Sequence, residues 1–179
     1  MSMHPQKFAL WLFMISIGMT FAALTSAYIV KSGEGPWLEF EMPGQFWYST
    51  VIICLSSTTI QAAYFLAKKD NLGGVKILLA VTFLLGLGFL ASQWGAWKQL
   101  VAEEVYFVGN PSGSFIYVFS GVHGFHIIAA LIFVLATLIS AFRYKVHSKK
   151  MTRLEMCVTF WHFLGIIWVY LFVFIMMNR

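Results

Sequence analysis

Five apolar stretches, each long enough to cross a lipid bilayer, occupy most of this 179-residue chain. A helix rises about 1.5 Å per residue and the hydrocarbon core is about 30 Å thick, so about 20 apolar residues span it. Spanning strands would be about ten residues long with alternating polarity, a pattern these runs lack. The sequence therefore predicts an all-α integral membrane protein forming a single domain, residues 1–179. The predicted spans are 8–30, 46–67, 75–97, 115–142 and 156–177.

Charge placement predicts how the chain is oriented in the membrane. Only 11% of residues are charged and the net charge is +5. Nine lysines and arginines fall at one set of alternating helix ends and three at the other, which matches the positive-inside rule. We expect a multi-pass membrane protein with a cytoplasmic N-terminus and an external C-terminus. The basic residues are expected to meet lipid headgroups, and no nucleic acid partner is expected.

The N-terminal span and the cysteines do not indicate processing or a cysteine-built site. The first apolar run is about 23 residues, longer than the about 7–15 of a cleaved signal peptide, so we expect it to be retained. Cys54 and Cys157 form no CxxC pair, and apolar packing is expected for both. Ser112 or Ser114 is predicted to cap the fourth helix.

The polar residues of most interest at membrane depth are histidines. His123 and His126 lie three apart in the fourth span, and His162 lies in the fifth. Three imidazoles could ligate a haem b or a metal, but two on one helix cannot take opposite axial positions of one haem. Buried, hydrogen-bonded structural histidines are therefore favoured, and an interhelical hydrogen bond is favoured for Gln93. No catalytic, cofactor or metal site is predicted in this chain.

At these residues the sequence resembles subunit III of the haem–copper terminal oxidases, in its short five-helix bacterial form. Glu155, then Phe160-Trp161-His162-Phe163, then Trp168 is similar to the family's Glu–x5–Tyr-Trp-His-Phe-Val-Asp-x-x-Trp. Ser120-Gly121-Val122-His123-Gly124-Phe125-His126 is similar to its Thr-Gly-Phe-His-Gly-Leu-His, with a weaker match at Gln93.

Three positions depart from the family pattern. The family's acidic residues in the first, third and fifth helices are replaced by Ile17, Ala96 and Gly165. If those acids help to supply protons to the catalytic subunit, their joint loss shifts the expected role of this chain towards scaffolding and lipid retention. Joint loss is physically coherent because a single remaining buried carboxylate would lack a partner.

The resemblance implies a fold and a set of partners. It implies a V-shaped bundle in which helices one and two splay from helices three to five around phospholipids. It also implies docking with catalytic subunit I and subunit II, which hold the haems and copper, reduce dioxygen in aerobic respiration and pump protons. It implies a location in the bacterial cytoplasmic (inner) membrane, with a periplasmic C-terminus, and it allows membership of a respiratory supercomplex. Subunit III is non-catalytic, has no active site of its own, and is expected to stabilise the catalytic subunit.

Candidate lipid contacts lie at the cytoplasmic ends of helices four and five. We expect Arg143 to contact a lipid phosphate, with Lys145 and Lys150 behind it, although an ordinary snorkelling arginine is an equal alternative. Water or a lipid headgroup could link Glu155 to Arg143 or Lys150.

Three other functions remain compatible with the sequence. The chain could be a subunit III-like component of a nitric oxide reductase, or a haem b- or quinone-binding anchor of a membrane dehydrogenase. A small transporter is disfavoured because charged residues and broken-helix pairs are nearly absent from the spans.

Overall fold

The computed structural model describes residues 5–34, 37, 42–143 and 151–178. The regular structure in these residues consists of five α-helices, all long and apolar enough to cross a membrane. Each predicted span lies inside one of them, so the predicted five-helix membrane architecture is confirmed. The helices are α1 (Pro5–Ser32), α2 (Gly44–Lys68), α3 (Leu72–Ala102), α4 (Pro111–Phe142) and α5 (Thr152–Asn178).

Asparagine side chains cap two of the helices. Asn71 Oδ1 accepts the Gly74 N–H at 3.2 Å and begins α3. Asn110 Oδ1 accepts the Ser112 N–H at 2.9 Å and begins α4, with Pro111 at the first helical position. The predicted serine cap of α4 is therefore wrong. Proline is well suited to the first helical position because it has no N–H to satisfy, and asparagine just before it is a strong cap.

The helices form a ring of neighbours in the order α1, α4, α3, α2, α5. The helices α4 and α5 also pack on each other across this ring, and α5 therefore contacts α1, α2 and α4. Backbone contacts between α1 and α2 are absent from the described residues, and α5 lies between them. The splaying of helices one and two from helices three to five stays a prediction.

The interior is rich in aromatic rings. At the end of the bundle where α1 and α5 finish and α4 begins, the Tyr28 ring packs against those of Trp37, Phe115 and Phe174, with centroids 4.8–5.5 Å apart. The Tyr28 hydroxyl donates to the Asn178 carbonyl at 2.9 Å. Such edge-to-face pairs add to the stability that the buried area provides.

The two cysteines differ in their surroundings. Cys157 is buried, as predicted, whereas Cys54 is exposed on the outer surface of α2. The packing expectation for Cys54 is therefore wrong. An apolar surface on a membrane helix needs no cover from protein, because lipid provides an apolar environment.

Candidate functional site

Three side chains of α5 hydrogen-bond to α2 at successive levels of the membrane. Polar groups in lipid are tolerated where they pair inside the protein, and one such bond contributes on average about 0.6 kcal/mol and up to about 1.7 kcal/mol. These bonds fix the register of α5 against α2. The pairs are Gln61 Oε1 with His162 Nε2 (2.9 Å), Ser56 Oγ with Trp161 Nε1 (3.0 Å) and Thr50 Oγ1 with Trp168 Nε1 (3.0 Å).

Trp161 also reaches across to α3, where a glycine makes room for it. The indole is almost fully buried, with 1% of its surface exposed. A Cβ atom placed on Gly86 would lie 2.7 Å from Trp161 Cη2 and 2.6 Å from Leu131 Cδ2. Trp161 thus joins α5 to α2 through its N–H and to α3 through the edge of its ring.

His123 lies at the centre of the bundle in an aromatic surrounding. Its ring centroid is 5.3 Å from that of Trp168, 5.8 Å from that of Phe89 and 6.1 Å from that of Phe21. It is fully buried, but neither ring nitrogen has a hydrogen-bond partner among the described residues. The expectation of a hydrogen-bonded His123 is therefore wrong, because aromatic rings occupy the space where partners would stand.

The other two histidines are half-buried, and each has a hydrogen-bond partner. His126 Nδ1 lies 2.8 Å from the Val122 carbonyl oxygen on its own helix, and His162 pairs with Gln61 as described above. Across the described ranges, His, Cys, Asp and Glu side chains form no group of three or more that could hold a metal ion. The three imidazoles therefore do not converge on one site.

Gln93 makes an interhelical hydrogen bond. Its amide Nε2 donates to Ser49 Oγ of α2 at 3.0 Å, and the residue is 4% exposed. One turn further along α3, Trp97 Nε1 donates to Ser120 Oγ of α4 at 2.8 Å. The helix α3 is thus tied by side-chain bonds to both of its neighbours.

A groove runs between α1 and α2, with α5 as its floor. Its polar end is a cavity of about 500 Å³ with Lys7, Gln61, Glu155 and His162 in its walls. Lys7 Nζ of α1 and Glu155 Oε2 of α5 are 2.6 Å apart. A second cavity of about 550 Å³ lies between α2 and α5, also touches His162, and is lined almost entirely by apolar groups.

The predicted lipid contacts fall in different surroundings. Arg143 is exposed at the C-terminal end of α4, where its backbone N–H donates to the Ile139 carbonyl at 3.1 Å. Lys145 and Lys150 lie outside the described residues. Glu155 is paired with Lys7, a partner that the sequence reading did not identify.

The three positions at which the family resemblance implies acidic residues are all buried. Ile17 of α1 is 3% exposed and Ala96 of α3 is 0% exposed. A Cβ atom on Gly165 would lie 3.3 Å from Ser57 Oγ, and both residues line the second cavity. Each site is filled by an apolar residue or by no side chain at all, so none of them holds an unpaired carboxylate.

Two residues of the site could not be identified from the sequence alone. Neither Gln61 of α2 nor Lys7 of α1 was singled out in the sequence analysis. Both act through long-range contacts, 101 and 148 residues away along the chain. A single sequence has no periodic signal for pairs so distant, although a glutamine inside an apolar span already indicates a buried partner.

Comparison with known proteins identifies relatives over nearly the whole chain. The family model for cytochrome c oxidase subunit III matches residues 2–178. A cytochrome bo(3) ubiquinol oxidase subunit 3 from Buchnera aphidicola is 30% identical, with 98% of this chain and 95% of the relative covered. A cytochrome c oxidase subunit 3 from a Bacillus species is 27% identical, with coverage of 90% and 80%. A bo(3) subunit 3 from Pseudomonas aeruginosa is 30% identical, with coverage of 92% and 81%.

Proposed function

Because this chain belongs to the cytochrome c oxidase subunit III family, we propose that it stabilises the catalytic subunit of a proton-pumping haem–copper terminal oxidase and holds phospholipids at its surface. It is a multi-pass membrane protein with five spanning helices. The observation that carries the proposal is the family match over residues 2–178. The partners proposed are catalytic subunit I, subunit II and membrane phospholipids, within an oxidase that can join a respiratory supercomplex.

The proposed role rests on rigidity in this chain. Hydrogen bonds tie α5 to α2, α2 to α3 and α3 to α4; the first two are buried within the bundle and the third is partly buried. Packed interiors resist deformation, so a bundle joined in this way offers a fixed surface to a neighbouring membrane subunit. The redox chemistry belongs to the haems and copper of the partner subunits, and this chain supplies positioning and packing.

We propose that the N-terminus is cytoplasmic and that the membrane is the bacterial cytoplasmic membrane. Spanning helices alternate in direction, so the start of α1, the end of α2 and the start of α5 lie on one side. Lys7, Lys68, Lys69 and Arg153 fall on that side, and the positive-inside rule assigns it to the cytoplasm. Cysteine accessibility labelling tests this: a cysteine at Lys69 should react only with permeant reagents, and reaction with an impermeant one would reverse the orientation.

Purification through a tag on this chain, in mild detergent, tests the main proposal. We expect co-elution of haem- and copper-bearing subunits with the absorption spectrum of a terminal oxidase. Deleting the chain should leave dioxygen reduction measurable but shorten the active lifetime of the enzyme during turnover. Co-elution of a different catalytic subunit, or a lifetime unaffected by deletion, would contradict the proposal.

Arg143 is the proposed phosphate contact at the end of α4. Replacing Arg143 with Gln should lower the amount of co-purified anionic phospholipid because a cation near the surface contributes about 1 kcal/mol of attraction to anionic lipid. The matched control is Lys69→Gln, which removes an exposed charge from the end of α2 on the same side. Equal lipid content in the two variants would show that Arg143 is not the phosphate contact.

A further inference from the structure

The cavity of about 500 Å³ between α1, α2 and α5 has polar side chains at two depths. The outer pair is Lys7 with Glu155, whose Nζ and Oε2 atoms are 2.6 Å apart. The inner pair is Gln61 with His162, whose Oε1 and Nε2 atoms are 2.9 Å apart. Along the axis of α5, Glu155 and His162 are separated by about 10 Å, at 1.5 Å per residue. Both pairs line the same cavity.

The inner pair lies deeper in the membrane than lipid headgroups do. The outer pair is in the first turns of α1 and α5, at the ends of spanning helices, where headgroups lie. A point about 10 Å further along α5 is inside the hydrocarbon region. A phospholipid keeps its charged groups at the surface, because burying them is costly, and it would place only acyl chain beside the inner pair. The cavity therefore fits better a neutral ligand with a hydrogen-bonding group at each of its two ends.

Aromatic and aliphatic side chains line the cavity around the two pairs. Trp11 of α1 and Tyr64 of α2 belong to the two helices that flank α5. Trp11 is 51% exposed, so this wall of the cavity is open to the membrane. Aromatic side chains pack well on flat rings, either offset or edge to face. The aliphatic lining comes from Leu10, Met156 and Val158.

Each pair offers both a donor and an acceptor of hydrogen bonds. In the outer pair, the Lys7 ammonium donates and the Glu155 carboxylate accepts. In the inner pair, Gln61 Oε1 can only accept, so His162 Nε2 carries the proton of their bond. The Gln61 amide then keeps its two N–H groups for a further acceptor. A ligand that carries either a carbonyl or a hydroxyl at each end can therefore bond to both pairs.

We propose that this cavity binds the head of a membrane-soluble quinone, in its oxidised or its reduced form. The head is a flat, neutral six-membered ring with a carbonyl oxygen at each end, and reduction converts both to hydroxyl groups. One oxygen bonds to the outer pair and the other to the inner pair, while the ring lies beside Trp11 and Tyr64. A ring of this kind, with one hydrogen bond of about 2.8 Å on either side, is of the order of the separation between the pairs.

The apolar tail of the quinone needs no path through the protein. Because α1 and α2 do not contact each other among the described residues, the tail can pass between them directly into the lipid. The volume of about 500 Å³ lies within the range of about 300–1,000 Å³ that is typical of small-molecule sites. This ligand adds to the function proposed above. The chain supplies binding, and the redox chemistry stays with the haems and copper of the partner subunits.

Photo-crosslinking of the intact oxidase complex tests the proposal. The complex, purified through a tag on this chain, is irradiated with a short-tailed azido-benzoquinone, and the modified residues are mapped by mass spectrometry. We expect adducts on this chain near Trp11 and Tyr64, which separates the site from any quinone site on a partner subunit. An excess of unlabelled short-tailed benzoquinone should prevent them, and an equal excess of phosphatidylethanolamine should not. Equal protection by the phospholipid would overturn the proposal and assign the cavity to lipid.

Replacing Gln61 with Leu removes the amide of the inner pair. The probe concentration that gives half-maximal labelling should rise about 3- to 20-fold, the range expected for one hydrogen bond inside a membrane protein. The matched control is Thr58→Val on the same helix. Thr58 lies outside the cavity lining, and its hydroxyl donates to the Leu55 carbonyl of its own helix. Unchanged labelling in Gln61→Leu would overturn the proposal.

A second variant covers the case in which Gln61→Leu loosens the packing of α5 on α2. Trp11→Leu alters a half-exposed side chain and should also weaken labelling several-fold, whereas Trp94→Leu, at an indole of α3 that is 60% exposed, should not. Equal labelling of these two variants would refute the quinone site. A complex that retains this chain and its phospholipid but forms no adduct on it would also refute the quinone site, and would leave the stabilising function intact.

Discussion

Replacing Gly86 with Ala tests whether the contact between Trp161 and α3 holds the bundle together. The new Cβ would lie 2.7 Å from Trp161 Cη2 and 2.6 Å from Leu131 Cδ2. Both distances are well below van der Waals contact, which begins at about 3.5 Å between carbon atoms. The Leu131 methyl can rotate away. The indole has less freedom, because its N–H is bonded to Ser56 and its surface is 1% exposed.

Two opposing effects determine how far Gly86→Ala changes the free energy of unfolding. Inserting a methyl group into a packed interior costs about 1–3 kcal/mol. Alanine is the better helix former, and relative to glycine it recovers about 0.5–1 kcal/mol. The net destabilisation should therefore be about 0–2.5 kcal/mol. In a chain of this size, each kcal/mol lowers the unfolding midpoint by about 2–4 °C.

Gly88→Ala is the matched control, two residues along the same helix. A Cβ atom on Gly88 would meet nothing within 4 Å, so only the helix-propensity term applies and stability should stay equal or rise. The assay is the fraction of this chain that remains with the catalytic subunit after heating in mild detergent. If Gly86→Ala is as stable as Gly88→Ala, the Trp161 ring can move away from α3, and its contact with Gly86 does not hold the bundle together.

Three further changes probe the interior. Trp161→Phe keeps an aromatic ring but loses the hydrogen bond to α2, so the midpoint should fall by the equivalent of about 0.6–1.7 kcal/mol, measured by the same heating assay. His162→Leu leaves the Gln61 amide unpaired, so it should reduce retention of the chain while the haem absorption spectrum stays intact. His123→Leu breaks no hydrogen bond among the described residues and should reduce retention less. A larger loss of retention for His123→Leu than for His162→Leu would refute this distinction. Gly165→Asp introduces a carboxyl group at a buried position and should lower retention more than Gly165→Ala, since a buried charge without a partner is costly. Equal losses in the two variants would point to side-chain volume alone.

The spans could be predicted from the sequence because lipid imposes a simple rule on length and polarity. Each predicted span falls within one helix, and the structure extends the helices by a few residues at their ends. The neighbours of each helix could not be predicted in the same way. Apolar side chains cover nearly the whole surface of these helices, so no amphipathic stripe separates the faces that meet protein from those that meet lipid.

The polar side chains show where sequence reasoning succeeds and where it fails. A Gln inside an apolar span indicates an interhelical bond, and Gln93 makes one with Ser49. The same reasoning fails for His123, because its surroundings come from aromatic residues on three other helices. It also fails for the partner of Glu155. Arg143 and Lys150 are much nearer to Glu155 along the chain than Lys7 is, yet the ion pair forms with Lys7.

The position of α5 in the chain has a consequence for biogenesis. The other four helices are translated first, and α2 then carries Thr50, Ser56 and Gln61 without the three N–H donors that α5 provides. Until α5 leaves the translocon, that flank of the nascent protein has polar groups turned towards lipid tails. Quality-control proteases could recognise the unpaired polar side chains on this face of α2, and insertion of α5 would cover them.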